Sequence, residues 1–151
     1  MDAAPRPFAE LPRDRDLDAP VPFACGTGPL DPHSGEPPAS LRTLDGRRVT
    51  QCALSRVCGV CGSGLGRPLA FVGSADEAAR NAFHFPACHL DCARQLLDAI
   101  EDLPVAVLGQ PEPVRSWVLA TTAAFEYVRP DRRDLDRRPT FQPHELLSDT
   151  R

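Results

Sequence analysis

Two short stretches decide the fold of this 151-residue chain: LSRVCGVCGSGLGRPLAFV at residues 54–72 and FPACHLDCAR at residues 85–94. The first contains Cys58-x-x-Cys61 followed by glycine, so both thiols can point inward from one tight, glycine-rich turn. A tetrahedral zinc site takes four Cys or His ligands, and such a turn supplies half of them. The first stretch therefore predicts one side of a metal site.

The second stretch supplies the other pair of ligands. His89 and Cys92 are three residues apart at the start of a segment whose apolar residues recur at helical spacing, which predicts a helix over residues 89–102. The two side chains then share one face, and the positive end of the helix favours a thiolate. The predicted ligands of one structural Zn²⁺ are therefore Cys58, Cys61, His89 and Cys92.

The order of these parts resembles the treble-clef zinc finger over residues 56–102: a cysteine turn, a β-hairpin, and a helix with the second ligand pair in its first turn. More narrowly, the two quoted stretches look like small zinc-binding proteins of actinobacteria and their phages. All 17 basic residues are arginine, which is typical of a GC-rich genome of that kind. The resemblance implies a metal-bound fold and no particular activity. Its H-x-x-C pair maps onto His89 and Cys92.

The identity of the fourth ligand stays open. Cys88 could replace His89, since it would form a C-x3-C pair with Cys92 on the same helix. We favour His89, because the H-x-x-C spacing is closer to the resembled proteins and a fourth sulfur brings no advantage. His84 is a weaker alternative, because a histidine between two phenylalanines is more typical of a strand.

Other interpretations of the cysteines also remain. An iron–sulfur cluster would use Cys58, Cys61, Cys92 and one of Cys25, Cys52 or Cys88, but no run matches the ferredoxin spacings. Without a metal, reduced cysteines would pack as small apolar side chains. Cys25, Cys52 and His33 could form a second metal site, although their irregular spacing favours ordinary thiols.

Composition divides the chain into three parts. Nine of the 17 prolines fall in the first 40 residues, with little apolar periodicity, which predicts an irregular, extended arm over residues 1–40. A zinc-stabilised α+β core is expected over residues 41–129 and a charged tail over residues 130–151. A core of about 90 residues is marginal by buried area alone, so a metal would help to stabilise it.

Within the core, Asp45-Gly46 predicts a hairpin turn or a junction between a strand and a helix. Residues 68–72 and 83–85 are expected to pair as a hairpin across a polar loop. Additional C-terminal strands are expected at residues 105–108 and 117–128, with a helix as the alternative for the second of these.

The charge of the chain, its N-terminal sequence and its apolar runs restrict the possible functions. The net charge is −4, and the cysteine-rich residues 51–102 carry four arginines against six acidic residues. Nucleic-acid interfaces are normally basic, so this balance disfavours one. The N-terminus has no signal-peptide pattern, and no run approaches the roughly 20 apolar residues of a membrane span. We therefore expect a cytoplasmic protein with reduced cysteines and no membrane contact.

The ligand set argues against catalysis. A catalytic zinc keeps an open coordination position, whereas this chain offers four ligands and one spare. HExxH, phosphate-loop and GxSxG motifs are absent from the sequence. We expect a non-enzymatic interaction module whose protein partner binds the arm or the tail. The alternatives are a nucleic-acid-binding zinc finger, supported by five arginines in residues 129–138, and, with less support, a zinc-dependent hydrolase or nuclease.

Overall fold

The computed structural model describes residues 7–27, 39–136, 138–144 and 146–150. They form a mixed arrangement of small antiparallel sheets and short helices. The helices are α1 (Gly46–Ser55), α2 (Ala75–Arg80) and α3 (Leu90–Ile100), with one 3-10 turn at Phe8–Glu10. The strands are β1 (Arg13–Asp14), β2 (Ala19–Pro20), β3 (Cys25–Thr27), β4 (Ala39–Leu44), β5 (Leu69–Ser74), β6 (Cys88–His89), β7 (Trp117–Thr122), β8 (Phe125–Val128), β9 (Thr140–Pro143) and β10 (Leu146–Thr150).

The largest sheet has the strand order β10-β7-β5-β6, and each neighbouring pair is antiparallel. Its centre is the β5–β7 pair, which runs in register from Leu69 opposite Thr122 to Ser74 opposite Trp117. The described residues also form the two-stranded pairs β1–β2, β3–β4 and β8–β9. Both central strands are almost wholly buried, so the β5–β7 pair lies inside the hydrophobic core.

Helix α3 confirms the helix that was predicted over residues 89–102. Its apolar stripe of Ala93, Leu96, Leu97 and Ile100 is buried, while the opposite face is exposed. A 3.6-residue period places such residues on one side, so burial against the sheet follows directly from the sequence. The helix thus fixes the direction in which its first turn points.

The Asp45-Gly46 signal marks a junction between a strand and a helix, the second of the two forms predicted for it. The Asp45 carboxylate accepts hydrogen bonds from the backbone N–H groups of Arg47 and Arg48, and so caps the first turn of α1. Capping satisfies donors that have no partner inside the helix.

The hairpin expected between residues 68–72 and 83–85 does not form. The intervening polar segment is helix α2, because Ser74 and Glu77 make a reciprocal capping box at its start. Strand β5 pairs with β6 and β7 instead, and Phe83 forms a bridge with Phe141.

Of the two C-terminal strand predictions, the one over residues 117–128 is confirmed and the one over residues 105–108 is wrong. Residues 117–128 form β7 and β8, as expected from their β-branched and aromatic side chains. Residues 105–108 are not a strand. Leu108 and the following Gly109 have φ values of 54° and 74°, and two successive residues in the left-handed region cannot continue an extended backbone.

The irregular arm expected over residues 1–40 is not confirmed in its described portion. Leu11, Val21 and Ala24 are buried in the core. The buried Asp14 carboxylate accepts a hydrogen bond of 2.9 Å from the backbone N–H of Leu41 and joins β1 to β4. Residues 1–6 and 28–38 lie outside the described residues.

The segment expected as a charged tail also contributes to the core. Strand β9 pairs with β8, strand β10 pairs with β7, and the Phe141 side chain is fully buried against Phe71, Phe125 and Tyr127. Among the described residues, no helix has the length and apolar character that crossing a membrane requires.

Candidate metal centre

The turn at Cys58–Cys61 is closed by its own backbone. The Cys58 N–H donates to the Ser63 carbonyl at 2.7 Å, and the Gly62 N–H donates back to the Cys58 carbonyl at 2.9 Å. Gly62 has a φ of +77°, a conformation in which a side chain would be strained. A Cβ atom on Gly59 would meet Phe85 and Pro86 at 3.1 Å. These two glycines let the turn fold tightly against the segment that carries the second ligand pair.

The second pair arrives from the junction of β6 and α3. His89 is the N-terminal flanking residue of α3, and Cys92 lies in its first turn. Pairing of β6 with Leu69 and Ala70 of β5 fixes this junction next to the sheet. The His89 backbone N–H also lies 3.4 Å from the Cys58 sulfur, to which it donates a hydrogen bond.

The structure brings Cys58, Cys61, His89 and Cys92 together. Their candidate ligand atoms all lie within 4.8 Å of one another. The His89 Nδ1 atom lies 3.4 Å from the Cys61 sulfur and 3.8 Å from the Cys92 sulfur. Sulfur and nitrogen ligands of one tetrahedral zinc are separated by roughly 3.5–3.8 Å, given bond lengths of about 2.3 and 2.0 Å. This buried cluster can therefore bind a metal ion.

The imidazole is oriented by the cysteine turn itself. The His89 Nε2 atom lies 2.8 Å from the Gly64 carbonyl, which can only accept, so Nε2 carries the proton and donates it. The Nδ1 atom then presents a lone pair to the three sulfurs. An outer hydrogen bond of this kind is what fixes the tautomer of metal-binding histidines.

Without a metal, the negative charge of the cluster is concentrated on the Cys58 sulfur. Hydrogen bonds from Cys61, Cys88 and Cys92 lower the pKa of Cys58 far below its ordinary value. The same interaction with Cys58, followed by burial, raises the pKa of Cys61 and of Cys92. A bound dication would instead lower the pKa of Cys61 and of Cys92, because metal-bound cysteines are deprotonated. Metal binding here is expected to release protons and to weaken as the pH falls.

The alternative ligands occupy other positions. Cys88 is fully buried, and its thiol donates to the Pro86 carbonyl at 3.3 Å. Burial, followed by the hydrogen bond to Cys58, raises its pKa, so Cys88 is a protonated neighbour of the cluster. The His84 ring is buried beside Pro139 and Asp136 and does not belong to the cluster.

The remaining cysteines are buried thiols. Burial raises the pKa of Cys25 well above its ordinary value and that of Cys52 to about 12, so both stay protonated near neutral pH. The Cys25 thiol donates to the Leu41 carbonyl at 3.9 Å. His33, which was considered with them as a second metal site, lies outside the described residues.

Comparison of the chain with protein-family models, with curated proteins and with solved structures finds no match. The function of this protein is therefore inferred from the chemistry of the cluster: three thiols and one imidazole arranged around a position that suits a metal ion.

Proposed function

We propose that this chain is a non-enzymatic protein-interaction module whose fold is stabilised by one structural zinc ion. The observation that carries the proposal is the closed donor set of Cys58, Cys61, His89 and Cys92. Four donors complete a tetrahedral shell, so no coordination position is left for a catalytic water or a substrate.

The donor chemistry supports zinc over an iron–sulfur cluster. Three sulfurs and one imidazole nitrogen form a common ligand set of structural zinc sites. A cysteine-ligated cluster would need Cys25, Cys52 or Cys88 in the fourth position, but among the described residues that position holds His89.

A treble-clef arrangement is the fold that we propose for this centre. The supporting features are a turn closed by the Val57–Gly64 bridge, the antiparallel β5–β6 pair, and α3 with Cys92 in its first turn. Helix α2 is inserted between the paired strands, which departs from the simple order of turn, hairpin and helix. An origin in actinobacteria or their phages rests on composition and on the resemblance of the two motifs.

Metal analysis tests the zinc assignment directly. We expect the purified full chain to contain one zinc ion per molecule and to show no absorption in the visible range, because zinc has a filled d shell. Iron in the protein together with visible absorption would contradict the assignment, and so would a metal-free protein that folds normally.

A charged loop supports the interaction part of the proposal. Residues 131–136 are all exposed, and Leu135 is 102% exposed between two aspartates. Isolated exposed leucines are common, but this one lies in the charged tail, which is one of the two segments where we expect a protein partner to bind. The six cysteines are free thiols, which is consistent with our proposal of a reducing, cytoplasmic environment.

Capture of proteins from a lysate of the producing organism tests the docking role. With the zinc-loaded full chain as bait, Leu135→Ala is expected to lose a protein that the unmodified chain retains. Leu54→Ala is the matched control, since Leu54 is 67% exposed but lies on α1. Equal capture by both variants would contradict a role for the loop. Capture that nuclease treatment abolishes would instead support a nucleic-acid-binding protein.

A further inference from the structure

A cavity of about 480 Å³ opens between the N-terminal segment and helix α1. Residues 11–12 and 21–26 supply most of its described lining, and Arg48 of α1 and Cys61 of the cysteine turn also line it. Pockets for small molecules typically enclose roughly 300–1,000 Å³. The cavity is therefore large enough for a small organic ligand.

The N-terminal wall of the cavity is held against the cysteine turn by backbone hydrogen bonds. The Phe23 N–H donates to the Val60 carbonyl at 2.9 Å, and the Ala24 N–H donates to the Gly59 carbonyl at 2.9 Å. A Cβ atom on Gly62 would meet the Phe23 ring at 3.0 Å, so the ring packs directly on the turn. These contacts fix the wall in place, and the cavity is a preformed feature of the fold.

The walls of the cavity are mainly apolar. Leu11, Val21 and Phe23 contribute aliphatic and aromatic side chains to the lining. Cys25 is 1% exposed, and burial raises the pKa of its thiol well above the ordinary value, so this lining residue is neutral. Such walls favour a ligand with an apolar body, because removing apolar surface from water is favourable.

Arg48 gives the cavity a positive charge. Its Nη1 atom donates to the Phe23 carbonyl at 3.1 Å, and its guanidinium carbon lies 5.3 Å from the centre of the Phe23 ring. Arg13, Arg80 and Arg138 each pair with an aspartate, whereas among the described residues Arg48 pairs with no carboxylate. A guanidinium carries several N–H donors, so those that do not bind Phe23 can bind an acidic ligand.

The rest of the described lining leaves this charge uncompensated. It contains no aspartate or glutamate. Cys61 can carry a negative charge, but it is a proposed ligand of the zinc ion, whose positive charge would offset it. One positive group in an apolar cavity favours a ligand with one negative charge. A carboxylate has that charge, and its two oxygens match the fork of a single guanidinium.

We propose that this cavity binds a small monocarboxylic acid with an apolar body. The carboxylate pairs with Arg48, and the body lies against Leu11, Val21 and Phe23. Octanoate is a simple compound of this class. The proposal does not depend on the function proposed for the whole chain.

Matched compounds test the two parts of the ligand. Calorimetric titration of the zinc-loaded full chain is expected to show that octanoate binds at least tenfold more tightly than octan-1-ol, which has the same chain length and no charge. Octanoate is also expected to bind at least tenfold more tightly than acetate, which has the charge and almost no apolar body. Equal affinity within either pair, or no binding of octanoate, would overturn the proposal.

Two variants then test the assigned location. Arg48→Gln removes the charge and is expected to weaken octanoate binding at least tenfold. Arg47→Gln is the matched control, because it makes the same change in net charge at an exposed neighbour outside the described lining, and it is expected to leave the affinity unchanged. An equal loss in both variants would show a general effect of charge and would sink the assignment.

Ala39→Leu provides a test that keeps the charge. Ala39 lines the cavity, so a larger side chain there occupies part of the space and is expected to weaken octanoate binding at least tenfold. Zinc content and the unfolding temperature show whether each variant is folded. If Arg48→Gln does not fold, Ala39→Leu decides, and unchanged affinity in that variant places octanoate outside the cavity and overturns the proposal.

Discussion

Replacement of Cys61 by serine is expected to remove the metal and to unfold the centre of the protein. Cys61 is one of four donors, and its sulfur lies 3.4 Å from His89 Nδ1. A serine hydroxyl is a poor zinc ligand, and structural zinc contributes on the order of 10 kcal/mol or more to small domains. That exceeds the whole stability of many domains. Zinc analysis and thermal unfolding of Cys61→Ser measure both effects.

Cys88→Ser is the matched control for this experiment. Its serine hydroxyl can still donate to the Pro86 carbonyl, and Cys88 is outside the cluster, so one zinc ion per chain and a modest loss of stability are expected. The opposite pattern, with zinc lost from Cys88→Ser and kept in His89→Ala, would replace His89 by Cys88 as the fourth ligand. Unchanged unfolding in Cys61→Ser would remove the structural role of the metal altogether.

Replacement of Glu77 by alanine is expected to lower the free energy of unfolding by about 3–5 kcal/mol, because each buried donor that loses its acceptor costs about 1–3 kcal/mol. The Glu77 carboxylate is 2% exposed. It accepts hydrogen bonds at 2.9 Å from the backbone N–H groups of Ser74 and His84, and others from the Ser74 hydroxyl and the Gln110 amide. Its removal leaves several buried donors without an acceptor.

Urea unfolding of the zinc-loaded protein measures this loss. Asp76→Ala is the matched control, because the adjacent Asp76 side chain is 79% exposed and pairs with Arg80 across one helical turn. Its effect is expected to be small. Glu77→Gln keeps one acceptor oxygen. We therefore expect its loss in the free energy of unfolding to lie between those of Glu77→Ala and Asp76→Ala. Equal stability of Glu77→Ala and Asp76→Ala would show that the network does not hold α2 in place.

The two sides of the candidate metal centre could be predicted because each is a local feature. Two cysteines in a glycine-rich turn face the same way, and His89 and Cys92 share a face at the start of a helix whose apolar stripe is visible in the sequence. Helix α2 had a local signal as well. Ser74-x-x-Glu77 is the spacing of a capping box, and it distinguishes this helix from the loop that we expected.

The choice between His89 and Cys88 needed the fold. The H-x-x-C spacing favoured His89, but its neighbour Cys88 remained a possible ligand at the same helix start. The imidazole Nδ1 points to the sulfurs because Nε2 donates to Gly64, which is 25 residues away in sequence. The Cys88 sulfur lies beside the Pro86 carbonyl and the Cys58 sulfur, but it is not one of the four donors that converge. The structure thus places His89 in the cluster, and the proposed ligand set follows from a contact that no local pattern contains.

By itself, the sequence determined the elements whose partners are close along the chain: the cysteine turn, helix α3 and its ligand pair, and the strand tendency of residues 117–128. Only the tertiary structure decided that β5 pairs with β7, that the N-terminal segment is buried through Asp14 and Leu41, and that Phe141 enters the core. The physical reason is how far apart the contacting residues lie along the chain. Spacing within a turn or a helix is fixed by backbone geometry, whereas pairing across tens of residues depends on which distant surfaces the whole chain can bury together.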